Sequence, residues 1–336
     1  MKTEFLSENS AERAAKILKS GGIVAIPTET VYGLAASVYD KNAIKAIFTA
    51  KGRPSDNPLI VHISDLKDIE NVVSEFPKNA KKLAEKFWPG PLTMIMPKNP
   101  KIPKEVTGGL NSVAVRYPSH EVARKIIALA GVPLVAPSAN TSGKPSPTKF
   151  EHVVNDLNGK VNAIVDGGEC AVGLESTVVS TLSDIPKILR PGKISAEDIK
   201  SVVGAVEIDK AIFEKPPESE KVLSPGMKYK HYSPDTPIKM VVGDTHRYVN
   251  FVNLHGGEDV GALCFDEDIP FLKVPYISYG SANDTSAQSK NLFEALREAD
   301  KLGVKTLYAH YKETDSLSLA VYNRLVRAAA FNVIKV

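Results

Sequence analysis

The sequence predicts an α/β protein built in two units, and three observations carry that reading. Short apolar, β-branched runs alternate with helical stripes along most of the 336 residues. Hydrophobic residues make up 43% of the chain and charged residues 24%, enough apolar content for a sizeable core and too little charge for disorder. A stretch over 214–237, with five prolines and no hydrophobic periodicity, divides one α/β alternation from a second. The length also suits two domains, at about 100–200 residues each.

Taken in order, a helix is expected over 10–19, opened by Ser10 and stopped at Gly21-Gly22. Residues 23–26 are a short apolar strand ended by Pro27. Asp40 should cap a helix whose Ala43, Ile44, Ala46, Ile47 and Phe48 form an apolar stripe. Further strands are expected over 59–63, 92–96, 112–115, 133–136, 162–165 and 177–180, and one just before Arg190. Helices are expected over 78–87, 119–130 and 195–203, the last two capped by Ser119 and Ser195. Prolines and close strand spacing over 92–115 argue for a mixed sheet. After the proline-rich stretch, strands over 238–242, 261–265 and 306–308 alternate with helices near 245–254, 286–302 and 316–330. The expected division is a first domain over 1–205, a linker over 206–237 and a smaller α/β domain over 238–336.

Charge is uneven. Residues 1–205 hold 26 Lys and Arg against 21 Asp and Glu, a net +5, whereas the remainder carries −2, so the first unit is the expected home of an anionic ligand. The basic residues are dispersed, which speaks against a nucleic-acid stripe. The two cysteines, Cys170 and Cys264, are too few for a disulfide framework or a four-thiolate zinc site and fit a reducing cytoplasm. The first twenty residues lack the apolar core of a signal peptide, and the longest apolar run, 126–136, is broken by Gly131 and Pro133. A soluble cytoplasmic protein without membrane contact is expected.

Familiar catalytic signatures are missing: no Walker A motif, GxGxxG, HExxH, CxxC or GxSxG occurs in the sequence. Three loops stand out instead. PTETVYGL, at 27–34, places hydroxyls and a carboxylate after the opening strand, where open α/β sheets bind small ligands; a capped turn around a buried Tyr would look the same. KGRPSDNP, at 51–58, holds Lys51 and Arg53 in a Gly/Pro-fixed loop that suits phosphate oxygens; it also suits a solvated basic turn at a helix end. APSANTSGKPSPT, at 136–148, alternates small donors with conformational locks, which is a way to line a phosphate or carboxylate site. Ser112 with Arg116, Glu175-Ser176-Thr177 and Arg190-Pro191-Gly192 are supporting candidates. SPGMKYKHYSP, at 224–234, is too rich in Lys, Tyr, His and Met for an inert spacer and should touch a ligand or the other domain.

PTETVYGL, KGRPSDNPL and PSANTSGKPSPT resemble the family of threonylcarbamoyl-AMP synthases, the Sua5/YrdC/YwlC family, and FWPGPLTMIM, GLNSVAVRYP, GLESTVV and LRPG resemble further blocks of that family in the same order. FWPGPLTMIM and GLNSVAVRYP lie between the second and third loops in this chain, and SPGMKYKHYSP with an α/β tail is similar to its longer Sua5 branch. The resemblance implies a twisted, mixed-sheet YrdC-like domain around a concave basic pocket, with a smaller Rossmann-like α/β domain after it. It implies an enzyme, a nucleotidyltransferase, that joins L-threonine, bicarbonate and ATP into threonylcarbamoyl-adenylate and releases pyrophosphate. Mg²⁺ would accompany ATP, with no separate metal site. The product would pass to a downstream threonylcarbamoyl transferase machinery for the t6A modification of tRNA beside the anticodon, with at most weak direct contact to tRNA.

By the same resemblance Lys51 and Arg53 would be the catalytic cations. Asn57, Ser112, Ser138, Asn140, Ser146 and Arg190 would join Arg53 in holding ATP, with His231 and Tyr232 folding over it as a lid. Thr30, His62, Arg116, the backbone at Ala136, and Ser176 would hold threonine. An RNA-binding protein and a carbamoyl-transfer enzyme of hydrogenase maturation are the competing readings, and the missing paired CxxC motifs weigh against the second.

Overall fold

The computed structural model describes residues 1–215 and 231–336. An eleven-stranded sheet occupies the first part of the chain. Its order is Glu4–Leu6, Ala163–Val165, Val24–Ile26, Gly33–Ser37, Leu134–Val135, Ile60–His62, Ser112–Arg116, Leu92–Pro97, Thr177–Ser180, Lys187–Arg190 and Glu207–Ile208. Parallel and antiparallel pairs are interleaved, so the sheet is mixed as expected. Its strands read as continuous apolar runs because both faces are covered. Val24 and Ile26 join one core with Leu18, Ile126 and Val165, while Ile23 and Ala25 point into another with Ile44, Ile47 and Ile164. Helices Ala11–Lys19 and Glu121–Ala130 line the first core and helix Lys41–Lys51 the second.

Asp40 caps helix Lys41–Lys51, accepting from the N–H groups of Asn42 and Ala43 at 2.9 and 3.0 Å, and Ser195 with Asp198 forms a capping box on Ala196–Val203. Ser119 does not cap as expected: the helix begins at Glu121 after His120, which makes no side-chain cap bond. Strands Glu4–Leu6, Gly33–Ser37 and Glu207–Ile208 and helix Phe150–Leu157 are additions to the expected elements. Gly33–Ser37 is the instructive one, since it takes the end of a segment read as a loop and pairs it antiparallel with Val24–Ile26, folding the loop's polar residues back over the sheet.

The second sheet has five strands, all parallel, in the order Tyr276–Ser278, Val260–Cys264, Thr306–Tyr311, Ile238–Val242 and Val333–Lys335. The outermost two were not expected; both are short and lie at sheet edges, where pairing rather than residue pattern decides. One face packs on helix Thr245–Leu254 through Val241, Tyr248 and Cys264. The other carries helices Thr285–Glu298 and Ser318–Ala328, and its apolar cluster takes in Val31, Leu174 and Tyr232. The second sheet's core therefore reaches loop residues of the first unit. Among the described residues no helix is long and apolar enough to cross a membrane.

Candidate active site

The three loops close on one cavity, of about 50 Å³, lined among others by Thr30, Arg53, His62, Arg116, Ser138, Asn140, Ser146, Ser176, Arg190, His231 and Tyr232. Strand register explains part of the convergence. Ile60–His62 runs parallel to Ser112–Arg116 with His62 beside Arg116, and Thr93 of the next strand flanks Arg116 on its other side. Arg116 is buried; its Nη1 donates to Thr30 Oγ1 at 2.8 Å and its Nη2 pairs with the Glu29 carboxylate at 2.8 Å. Burial works against ionising Glu29, but Arg116 outweighs it and holds the carboxyl below its ordinary value. His62 is buried, bonded through Nδ1 to Ile60 O at 3.2 Å, and pushed down to about 3 by desolvation and then by Arg116. It is a neutral imidazole at neutral pH.

A second cluster joins Thr93, Ser176 and Arg190. The Thr93 and Ser176 hydroxyls lie 2.7 Å apart, and Arg190 donates from Nε to Ser176 O at 3.1 Å and from Nη2 to Ser176 Oγ at 3.2 Å. Gly192 makes this close approach of chains workable, since a Cβ there would sit 2.5 Å from Thr177 N. Ser146 donates to Glu175, whose other carboxylate oxygen accepts from Arg324.

Lys51 ends helix Lys41–Lys51, with Gly52 in the left-handed region at φ 61° turning the chain toward Arg53. Its buried Nζ donates to the carbonyls of Ser138 and Asn140. Desolvation first, then Arg53, holds it well below the ordinary lysine value. Asn140 donates to the carbonyls of Thr141 and Lys144 at 2.8 and 2.9 Å, bracing the loop from within. The residues after the described gap cover this loop: Ser233 N–H donates to Gly143 O at 2.9 Å and Ser233 Oγ to Ala328 O at 3.1 Å. Tyr232 is buried with φ 62°, a strained conformation for a tyrosine, and its ring lies 5.3 Å from that of Phe293. His231 is pushed down to about 3, by desolvation first and then by Arg53, Arg327, Lys51 and Arg190.

Cations and hydroxyls thus surround one small void, a donor-rich setting for phosphate and carboxylate oxygens. Among the described residues Arg116 Nε and His231 Nε2 are buried without a hydrogen-bond partner, which a bound polar ligand would supply.

Two family models divide the chain. One, described as "Telomere recombination" (Sua5_yciO_yrdC), matches residues 16–192, and the other, "Threonylcarbamoyl-AMP synthase, C-terminal domain", matches 194–330. The chain belongs to the Sua5/YrdC family of threonylcarbamoyl-AMP synthases. It is 43% identical to the threonylcarbamoyl-AMP synthase of Pyrococcus abyssi, covering 99% of this chain and 98% of that protein. It is also 43% identical to that of Bacillus subtilis, covering 99% and 97%. Among solved structures it resembles Pyrococcus abyssi Sua5 complexed with L-threonine, at 41% identity, full coverage of both chains and a TM-score of 0.91.

Of the residues that the family resemblance nominated, Thr30, Arg53, His62, Arg116, Ala136, Ser138, Asn140, Ser146, Ser176, Arg190, His231 and Tyr232 line the cavity. Lys51, Asn57 and Ser112 are buried but do not line it. Lys51 stands behind it, under the 138–140 backbone. Asn57 uses its N–H on Pro54 O, and Ser112 opens its strand opposite Pro97. At Ala136 the N–H is taken by Ile60 O, so that backbone offers its carbonyl rather than its amide. Sequence reasoning left Val31, Ile60, Pro137, Lys144 and Glu175 out of the site, although all five line it. Val31, Pro137, Lys144 and Glu175 sat inside motifs already singled out; Ile60 carried no signal separable from core.

Proposed function

We propose that this chain is an L-threonylcarbamoyladenylate synthase, taking L-threonine, CO2 or bicarbonate and Mg·ATP to threonylcarbamoyl-AMP and pyrophosphate. The observation that carries the reading is the meeting, in one cavity, of a Thr30–Arg116–His62 group with an Arg53–Ser138–Ser146–Arg190 group. The family's matches over the whole chain support it. Arg116 suits the threonine carboxylate, and Ser176, already within a hydroxyl and guanidinium chain, suits the threonine hydroxyl. A polar partner there would reject valine, which an apolar pocket of the same shape discriminates poorly.

In the reaction the threonine amine attacks CO2, a carbon–nitrogen bond forms and a proton is released. One oxygen of the resulting carbamate attacks the α-phosphorus of ATP. The bond from that phosphorus to the bridging oxygen breaks, and pyrophosphate leaves with the electron pair. No protein nucleophile is needed, so the residues position the reactants and stabilise charge. Arg53 and Arg190 face the developing phosphate charge, while Lys51 holds the 138–140 backbone from behind. Mg²⁺ would come as part of the substrate: among the described residues the one carboxylate lining the cavity, Glu175, is already engaged by Ser146 and Arg324. His231 and Tyr232 close over the site and shield a labile mixed anhydride from water. Threonylcarbamoyl-AMP made here would serve a transferase that modifies tRNA.

The test is pyrophosphate release from Mg·ATP and bicarbonate. It should require L-threonine and fail with L-valine. Equal release with either amino acid, or with none, would refute the threonine assignment.

A further inference from the structure

The loop that carries Ser138, Asn140 and Ser146 is anchored from both units. Gly143 adopts φ 91°, and within the first unit the loop is held by Lys51, by the Asn140 amide, by Asp156 and by backbone bonds to Tyr32 and Leu34. Its 141–146 segment takes further anchors from the second unit. Arg297, on helix Thr285–Glu298, donates from Nη2 to Pro145 O at 2.6 Å and to Asp156 Oδ2 at 2.9 Å. That same Asp156 oxygen accepts the N–H of Thr141 at 3.2 Å. Arg324, on helix Ser318–Ala328, is completely buried, and it donates from Nε to Glu175 Oε2 at 3.0 Å and from Nη2 to Glu175 O at 3.2 Å. Glu175 in turn receives the Ser146 hydroxyl, and the Arg324 guanidinium lies 5.7 Å from the centre of the Tyr232 ring.

We propose that the second domain acts as a positioning device for the nucleotide-binding loop, with Arg297 and Arg324 clamping its 141–146 segment from two helices. The proposal rests on the reading of this cavity as the site of Mg·ATP. Neither arginine lines the cavity, so neither touches substrate. Arg297 holds the Pro145 carbonyl directly and Thr141 through Asp156, and Arg324 holds Ser146 through Glu175; fixed charge-assisted contacts of this kind hold a loop within the tolerance that phosphate recognition needs. The domain that would otherwise be an appendage thereby completes the site in the first unit. Loss of the Arg297 clamp lets the loop sample other positions and weakens nucleotide binding, while threonine, held through Thr30, Arg116 and Ser176, is unaffected.

The experiment uses the full-length chain and steady-state kinetics in varied Mg·ATP, with threonine binding measured separately by calorimetry. Arg297→Gln should raise KM for ATP about five- to tenfold, leave kcat within about twofold and leave threonine affinity unchanged. Arg297→Lys should recover part of the loss. Asp156→Ala should give a similar KM, and the double variant should be little worse than either alone, because both remove one contact chain. Arg324→Lys is the parallel variant for the buried clamp, and its melting curve separates a loss of fold from a loss of positioning. An unchanged KM for ATP in a folded Arg297→Gln protein, or fully additive losses with Asp156→Ala, would overturn the proposal while active wild-type enzyme leaves the catalytic reading standing. A wild-type protein that turns over no ATP with threonine would overturn both.

Discussion

The two sheets place similar residues at their strand ends and use them in opposite ways. In the first unit His62, Arg116 and Ser176 surround a void, and Arg116 Nε has no partner among the described residues. In the second, His310 is fully buried at the end of its strand. Both its ring nitrogens are engaged, Nδ1 with Asp268 at 2.6 Å and Nε2 with Gly243 O at 3.1 Å, and its ring stacks on Tyr248 at 4.0 Å. Tyr248 and Tyr279 spend their hydroxyls on backbone carbonyls nearby. A His–Asp–Tyr group reads from sequence as a catalytic constellation just as readily as a His–Arg–Ser group does. What separates them is what the groups face: both ring nitrogens of His310 are spent inside the fold, where Asp268 Oδ1 is left buried without a partner among the described residues, whereas His62, Arg116 and Ser176 line a cavity.

The comparison is broken most sharply by Arg53→Ala. Turnover should fall by at least about 10²-fold, the loss typical of removing one electrostatic stabiliser. Unaltered turnover, measured as pyrophosphate release, would mean the cavity is not the reacting site.

Acid should act next, through His62. Its value is lowered from 6.5 to about 3, so the unfolded chain takes up the proton first as pH falls. The stability this neutral histidine contributes is complete above about 6.5 and is lost progressively toward about 3, by roughly 1.4 kcal/mol per pH unit. Denaturant melts of His62→Gln should show a shallower fall than wild type across that window; parallel curves would contradict the burial argument.

His310→Ala should lower stability by about 1–3 kcal/mol, since it leaves Gly243 O unpaired and Asp268 Oδ2 with the Phe265 N–H alone, yet keep KM and kcat below the melting range. A selective loss of activity in the folded variant would erase the contrast between the two sheets. Tyr232→Ala is the smallest effect: roughly a tenfold loss in use of ATP, from the aromatic packing it forfeits and the open lid, with the melting of the first unit nearly unchanged. Equal activity would remove the lid.

Much of this was legible in the sequence because the site is built from three local segments with turn residues and donors in fixed order. PTETVYGL, KGRPSDNP and APSANTSGKPSPT each place their polar groups within one loop, and short apolar runs marked the strands that bring them together, apart from Gly33–Ser37. What was not legible depends on distance. Lys51 looked like a phosphate cation, yet its helix ends so that Nζ meets the Ser138 and Asn140 carbonyls, 87 and 89 residues further along the chain. Glu175 lay in a recognised motif, but its importance comes from Arg324, 149 residues away. Ser119 failed as a cap because the helix started two residues later than propensity suggested. Part of SPGMKYKHYSP, through Lys230, lies outside the described residues, and only its His231-Tyr232 end can be set against the cavity.

The measurement that bears most directly on the whole account is product analysis by liquid chromatography and mass spectrometry. Purified full-length protein is incubated with Mg·ATP, bicarbonate and L-threonine, and in parallel with threonine or bicarbonate left out. A mass for threonylcarbamoyl-AMP together with pyrophosphate, present only in the complete mixture, is the predicted result. AMP or ADP formed equally without threonine, or no nucleotide turnover by folded protein, would contradict it.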